Sequence, residues 1–117
     1  MEEFKIKEKI YDMILYGSPA LTQFPKVEKY ALAGDIRKSM YRMLMLAVTI
    51  EKKYYKKTTL QELDIELDIL RHLIRLAADK KLYPNQKPCL PFKKYEYWAK
   101  LIDEIGRMIG GYMKSVK

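Results

Sequence analysis

The sequence is poor in the residues that build most catalytic and metal centres. One cysteine (Cys89) and one histidine (His72) stand among 117 residues. No intrachain disulfide framework or Cys/His zinc site can form from them, and a Ser-His-Asp or Cys-His apparatus would have to use the single histidine. No catalytic residue, metal or cofactor is therefore expected. Long hydrophobic runs are also missing: a stretch such as Met43 to Val48 falls far short of the roughly 20 residues needed to span a bilayer. The start, Met1-Glu2-Glu3, is acidic where a signal peptide is basic. These absences predict a soluble, cytoplasmic chain with no membrane contact. Disorder is excluded by an apolar content of 49%, and the length suits one domain over residues 1–117.

Against these absences stands an excess of positive charge, +8 in all, unevenly spread. Residues 26–57 carry nine basic against three acidic side chains and residues 82–117 seven against three, while the other two quarters are each slightly acidic. The densest cluster is Lys52, Lys53, Lys56 and Lys57, interleaved with Tyr54 and Tyr55. Ammoniums beside stackable rings suit a nucleic-acid strand. The same lysines at a helix C-terminus also suit the macrodipole and solubility, and both readings stand at this point. Lys93 and Lys94, in the basic last quarter, join the cluster as candidate nucleic-acid contacts.

Apolar spacing predicts four helices. Ile36, Met40, Met43, Ala47, Ile50 and Tyr54 recur every three or four residues, which lays them on one helical face. Leu60, Leu63, Leu67, Leu70, Ile74 and Ala77 repeat the pattern, as do Tyr95, Trp98, Ile102, Ile105, Ile109, Tyr112 and Val116. Ile6, Ile10 and Met13 continue less regularly through Gly17 to Ala20 and Phe24, with Pro19 predicting a kink. Phe24-Pro25 should end this first helix, and the second should start between Tyr30 and Asp35. Thr59 with Glu62 reads as a capping box opening the third, Tyr83-Pro84 as its end, and Pro91 or Phe92 as the start of the fourth. No strand-like alternation occurs. A link this short between the second and third helices makes them antiparallel neighbours, so the expected fold is all-α, an up-down-up-down four-helix bundle.

The third helix invites two chemical tests. A di-iron carboxylate site needs Glu-x-x-His, yet Ile69 stands where the glutamate before His72 should be; Glu62, Asp64, Glu66 and Asp68 are read instead as a solvated face, with His72 exposed and Cys89 an unpartnered loop thiol. Arg71 and Arg75 lie one turn apart, either as a salt-bridge ladder with Asp68 or as a guanidinium pair offered to phosphate or carboxylate. A second apolar stripe, Ile65, Ile69, Leu73 and Leu76, means either that the core wraps widely around this helix or that the stripe meets another subunit. Gly106 and Gly110 share one face of the fourth helix, where either another helix approaches closely or the C-terminus frays.

The order Phe24-Pro25, Tyr30-Ala31-Leu32-Ala33-Gly34-Asp35-Ile36-Arg37-Lys38, the Arg71 to Arg75 stretch and Ile105-Gly106-Arg107-Met108-Ile109-Gly110-Gly111 resembles a four-helix-bundle family. That family includes proteins encoded in intervening sequences of bacterial 23S ribosomal RNA genes and, within it, the accessory variability determinant of diversity-generating retroelements. The ribosomal-intervening branch carries a Ser-Ile-Pro-Ala-Asn-Ile-Ala-Glu-Gly stretch where this chain reads Met43-Leu44-Met45-Leu46-Ala47-Val48-Thr49-Ile50-Glu51, which favours the retroelement branch. The resemblance implies a ring-like homopentamer, a noncatalytic role beside the retroelement reverse transcriptase, and contact with its template RNA and cDNA. It also implies that Arg71 and Arg75 contact that partner. The alternative from another class is a self-assembling structural bundle of the intervening-sequence type with no polymerase partner.

Overall fold

A computed structural model describes residues 2–116 as four α-helices and no strand. They are α1 (Glu2–Leu21), α2 (Leu32–Lys52), α3 (Lys57–Ala78) and α4 (Phe92–Ser115), with one 3-10 turn at Lys26–Glu28 between the first two. Consecutive helices pack on each other, and α4 closes back on α1. Register shows the directions. Lys9 meets Glu104 and Tyr16 meets Tyr97, so α1 and α4 run antiparallel; Ser39 meets Glu66 and Lys53 meets Thr59, so α2 and α3 do too. The result is an elongated body, 50 × 22 × 20 Å, whose two ends hold different sets of connections.

The core is what the spacing predicts. Ile36, Met40, Met43, Ala47 and Ile50, the Leu60 to Ala77 series, and Trp98, Ile102, Ile105, Ile109 and Tyr112 are all buried, together with Ile6, Ile10, Met13, Ala20 and Phe24. Tyr95 and Val116 are half-buried against this core, and Tyr54 is outside it. Because α2 stops at Lys52, this ring lies beyond the helix and is 87% exposed.

Boundaries depart from expectation in three places. Thr59 is not an N-cap: α3 begins at Lys57, and the Thr59 hydroxyl faces inward, accepting a bond from Lys53 Nζ at 3.0 Å. No capping box forms because Thr59 is already the third residue of the helix, past the N-cap position. α3 ends at Ala78 rather than Tyr83, where Asp79 turns the chain and its carboxylate accepts from the Lys81 N–H at 2.9 Å. α1 stops at Leu21, and the Thr22 hydroxyl donates to the Pro19 carbonyl at 2.7 Å. α2 starts at Leu32 and α4 at Phe92, within the expected limits.

One further reading changes. Glu66 is not solvated: its carboxylate accepts from the buried Ser39 hydroxyl at 2.7 Å and faces Arg42 Nε at 3.6 Å. Cys89 is an unpartnered thiol in the α3–α4 connection, 5% exposed, and burial raises its pKa.

Two glycines position helices. A Cβ on Gly17 would stand 2.4 Å from a Trp98 ring carbon, so the bare backbone of α1 lets this buried indole lie flush against it. A Cβ on Gly106 would stand 3.3 Å from Leu67 and 3.4 Å from the Arg71 guanidinium, the close approach of α3, whereas Gly110 has nothing within 4 Å.

Candidate nucleic-acid and partner surfaces

The α2–α3 turn holds the Lys/Tyr cluster at one end of the bundle, beside the start of α1 and the last turn of α4. Tyr54 and Tyr55 are exposed and meet edge to face at 4.8 Å. With Lys56, Tyr112 and Val116 they line a cleft of about 330 Å³. The lysines there are not equivalent. Lys56 Nζ donates to the Ile50 carbonyl at 2.6 Å, closing one of the orphan carbonyls that end α2, and Lys53 Nζ is engaged with Thr59. Lys52 and Lys57 are exposed and make no ion pair among the described residues. Acidic Glu2 and Glu3 open α1 at the same end. Hydrogen bonds from its own backbone N–H and from Tyr112 hold Glu3 below the usual carboxylate range. Burial and Glu3 together push Tyr112 up to about 12.

Lys93 and Lys94 lie in the first turn of α4, at the opposite end. The fold therefore separates the candidate nucleic-acid residues into two groups along the long axis. Sequence reasoning gave no weight to Lys26, Lys29, Lys80, Lys81 and Lys87, which the topology carries to the same end as Lys93 and Lys94. Their only sequence signal was the segment charge, because they are scattered over connections far apart in the chain.

Arg71 and Arg75 part company. The Arg71 guanidinium reaches Asp68 Oδ1 at 3.2 Å on its own helix and Asp103 Oδ1 at 3.4 Å on α4. It thus bridges two helices as well as forming the expected i,i+3 rung. Arg75 is exposed and has no ion pair among the described residues. Nearby, Ile65, Ile69 and Leu76 are 60%, 46% and 43% exposed, while Leu73 is half-buried against the core. The core does not wrap around the whole second stripe, so most of that apolar face stays uncovered. His72 is exposed, with Nδ1 2.8 Å from the Asp68 carbonyl.

Among the described residues no group of three or more His, Cys, Asp or Glu side chains is placed to hold a metal, and no helix is long and apolar enough to cross a membrane. The arrangement offers cations, rings and an apolar stripe, which is equipment for binding. Comparison with curated proteins finds no match. The bAvd-like family model, in contrast, matches residues 4–116, a span that takes in all four helices and both ends of the bundle. The chain belongs to the bAvd-like family of bacterial accessory variability determinants, which is not a known catalytic family.

Proposed function

We propose that the protein is a noncatalytic accessory subunit of a diversity-generating retroelement, binding its reverse transcriptase and template RNA during mutagenic cDNA synthesis. The observation that carries this reading is the family match over residues 4–116. A net charge of +8 supports the nucleic-acid part, with Lys52, Lys53, Tyr54, Tyr55, Lys56, Lys57, Lys93 and Lys94 as contacts. The exposed positions of the α3 stripe, Ile65, Ile69 and Leu76, support self-association, in which Leu73 takes part and several copies share one nucleic acid, ideally as the homopentameric ring. Oligomerisation then multiplies a modest phosphate affinity into avid binding. Arg75, with no carboxylate to hold it among the described residues, is free to dock the polymerase, and Arg71 stiffens the same face.

Co-purification with the reverse transcriptase encoded beside the gene tests the reading. Wild type should retain the polymerase, and Arg71→Ala with Arg75→Ala should lose it while circular dichroism and light scattering stay unchanged. A wild-type protein that assembles but never retains polymerase or RNA is instead the structural bundle of the intervening-sequence type.

A further inference from the structure

We infer that the end of the bundle away from the α2–α3 turn is a binding surface for single-stranded nucleic acid, its phosphates held by lysines from two connections and the start of α4 and its bases stacked on Tyr30 and Phe92. The inference rests on the nucleic-acid reading above and names the surface that carries most of the binding.

Three segments distant in sequence converge there. The 3-10 turn brings Lys26 and Lys29 beside the start of α2. The α3–α4 connection brings Lys80, Lys81 and Lys87, and the first turn of α4 brings Lys93 and Lys94. Internal bonds fix the convergence. Glu28 accepts from the Tyr83 hydroxyl and from the Leu32 N–H, tying the 3-10 turn to the α3–α4 connection and to α2. The Leu90 N–H donates to the Ala77 carbonyl at 3.0 Å, holding the connection against the end of α3.

All seven lysines are exposed, and among the described residues none makes an ion pair or donates a side-chain hydrogen bond. Two of them sit where helix electrostatics opposes them. Lys93 and Lys94 occupy the first turn of α4, which holds no acidic residue, although the macrodipole disfavours cations at that position. Helix stability does not account for them, and a polyanion does. Rings accompany the charge: Tyr30, next to Lys29, is 95% exposed, and Phe92, next to Lys93, is 64% exposed. Exposed rings alternating with unpaired ammoniums favour a strand with open bases over a duplex, whose bases are already stacked.

The test uses a fluorescent single-stranded oligonucleotide of mixed sequence and its duplex, titrated with full-length protein over a range of salt. Lys29→Gln with Lys93→Gln should weaken single-strand binding about tenfold and lower the salt slope by about one to two. Lys52→Gln with Lys57→Gln, removing equal charge at the other end, should weaken it distinctly less, by about threefold at most. Tyr30→Ala with Phe92→Ala should weaken single-strand binding more than duplex binding. If the Lys52 and Lys57 pair matters as much or more, this placement is overturned while the nucleic-acid reading survives. Unchanged affinity in the ring variant, or equal loss on duplex, overturns the stacking site. A wild-type protein that binds no strand even at low salt overturns both.

Discussion

At the end built by the α2–α3 turn, Lys53 and Lys56 donate to Thr59 and Ile50, and acidic Glu2 and Glu3 stand close by. At the other end no lysine ammonium among the described residues is held by the protein, and Lys93 and Lys94, like Lys57 at the first end, stand against a helix dipole. Lysine density in the sequence is highest at the first end, yet the second has more ammoniums free for a ligand. Charge that a fold uses internally is no longer available at full strength to a partner. A basic cluster must therefore be judged by its hydrogen bonds as well as by its count.

The contrast can be tested from the largest effect downward. Toward the end away from the α2–α3 turn, Gly17→Ala should lower stability by about 1 to 3 kcal/mol in chemical denaturation, because its Cβ would press on the buried Trp98 ring and a well-packed core resists added volume. Loss of the near-ultraviolet tryptophan signal should accompany it. At the turn end, Tyr112 is raised to about 12. The unfolded chain ionises this phenol near pH 10 while the fold resists, so stability is kept below about pH 10 and falls between about 10 and 12. Thermal melts of Tyr112→Phe should show a shallower alkaline decline. Lys56→Met removes the cap on the Ile50 carbonyl and should cost about 0.5 to 1.5 kcal/mol by urea titration.

The smallest effects have the opposite sign. Gly110→Ala, also near the turn end, meets open space and should stabilise the chain by about 0.5 to 1 kcal/mol. Lys94→Gln relieves the first turn of α4 and should add about 0.3 to 1 kcal/mol to stability in the same titration, while weakening strand binding. A gain in stability coupled to a loss in binding would mark this lysine as placed for its ligand. Loss of stability on removing Lys94 would instead assign it a structural role and weaken the contrast between the ends.

Much of the architecture was legible in the sequence because the apolar spacing of a helix is a local property. The Leu60 to Ala77 series and the Trp98 to Tyr112 series can bury their side chains in only one way, and Pro91 sets the start of α4. Legibility failed where a side chain chose between a local and a distant partner. Thr59 has the sequence of a cap, but α3 begins at Lys57 and Lys53 from the preceding connection bonds to its hydroxyl. Glu66 has the sequence of a solvated acid, but the facing helix offers it Ser39 and Arg42. Tyr54 continues the spacing of α2, but the chain must turn before reaching it.

The candidate surfaces divide in the same way. Composition and periodicity by themselves determined a helical chain with excess positive charge, an uncommitted apolar stripe on α3 and an arginine pair one turn apart, since each depends on residues close in sequence. Only the tertiary structure decided which charges are free. It gave Arg71 a second carboxylate on α4 and left Arg75 with none among the described residues, and it engaged the Lys53 and Lys56 ammoniums with Thr59 and Ile50. It also drew Lys29, Lys81 and Lys93 to one end, because antiparallel packing brings alternate connections together, and no local pattern records which connections those are.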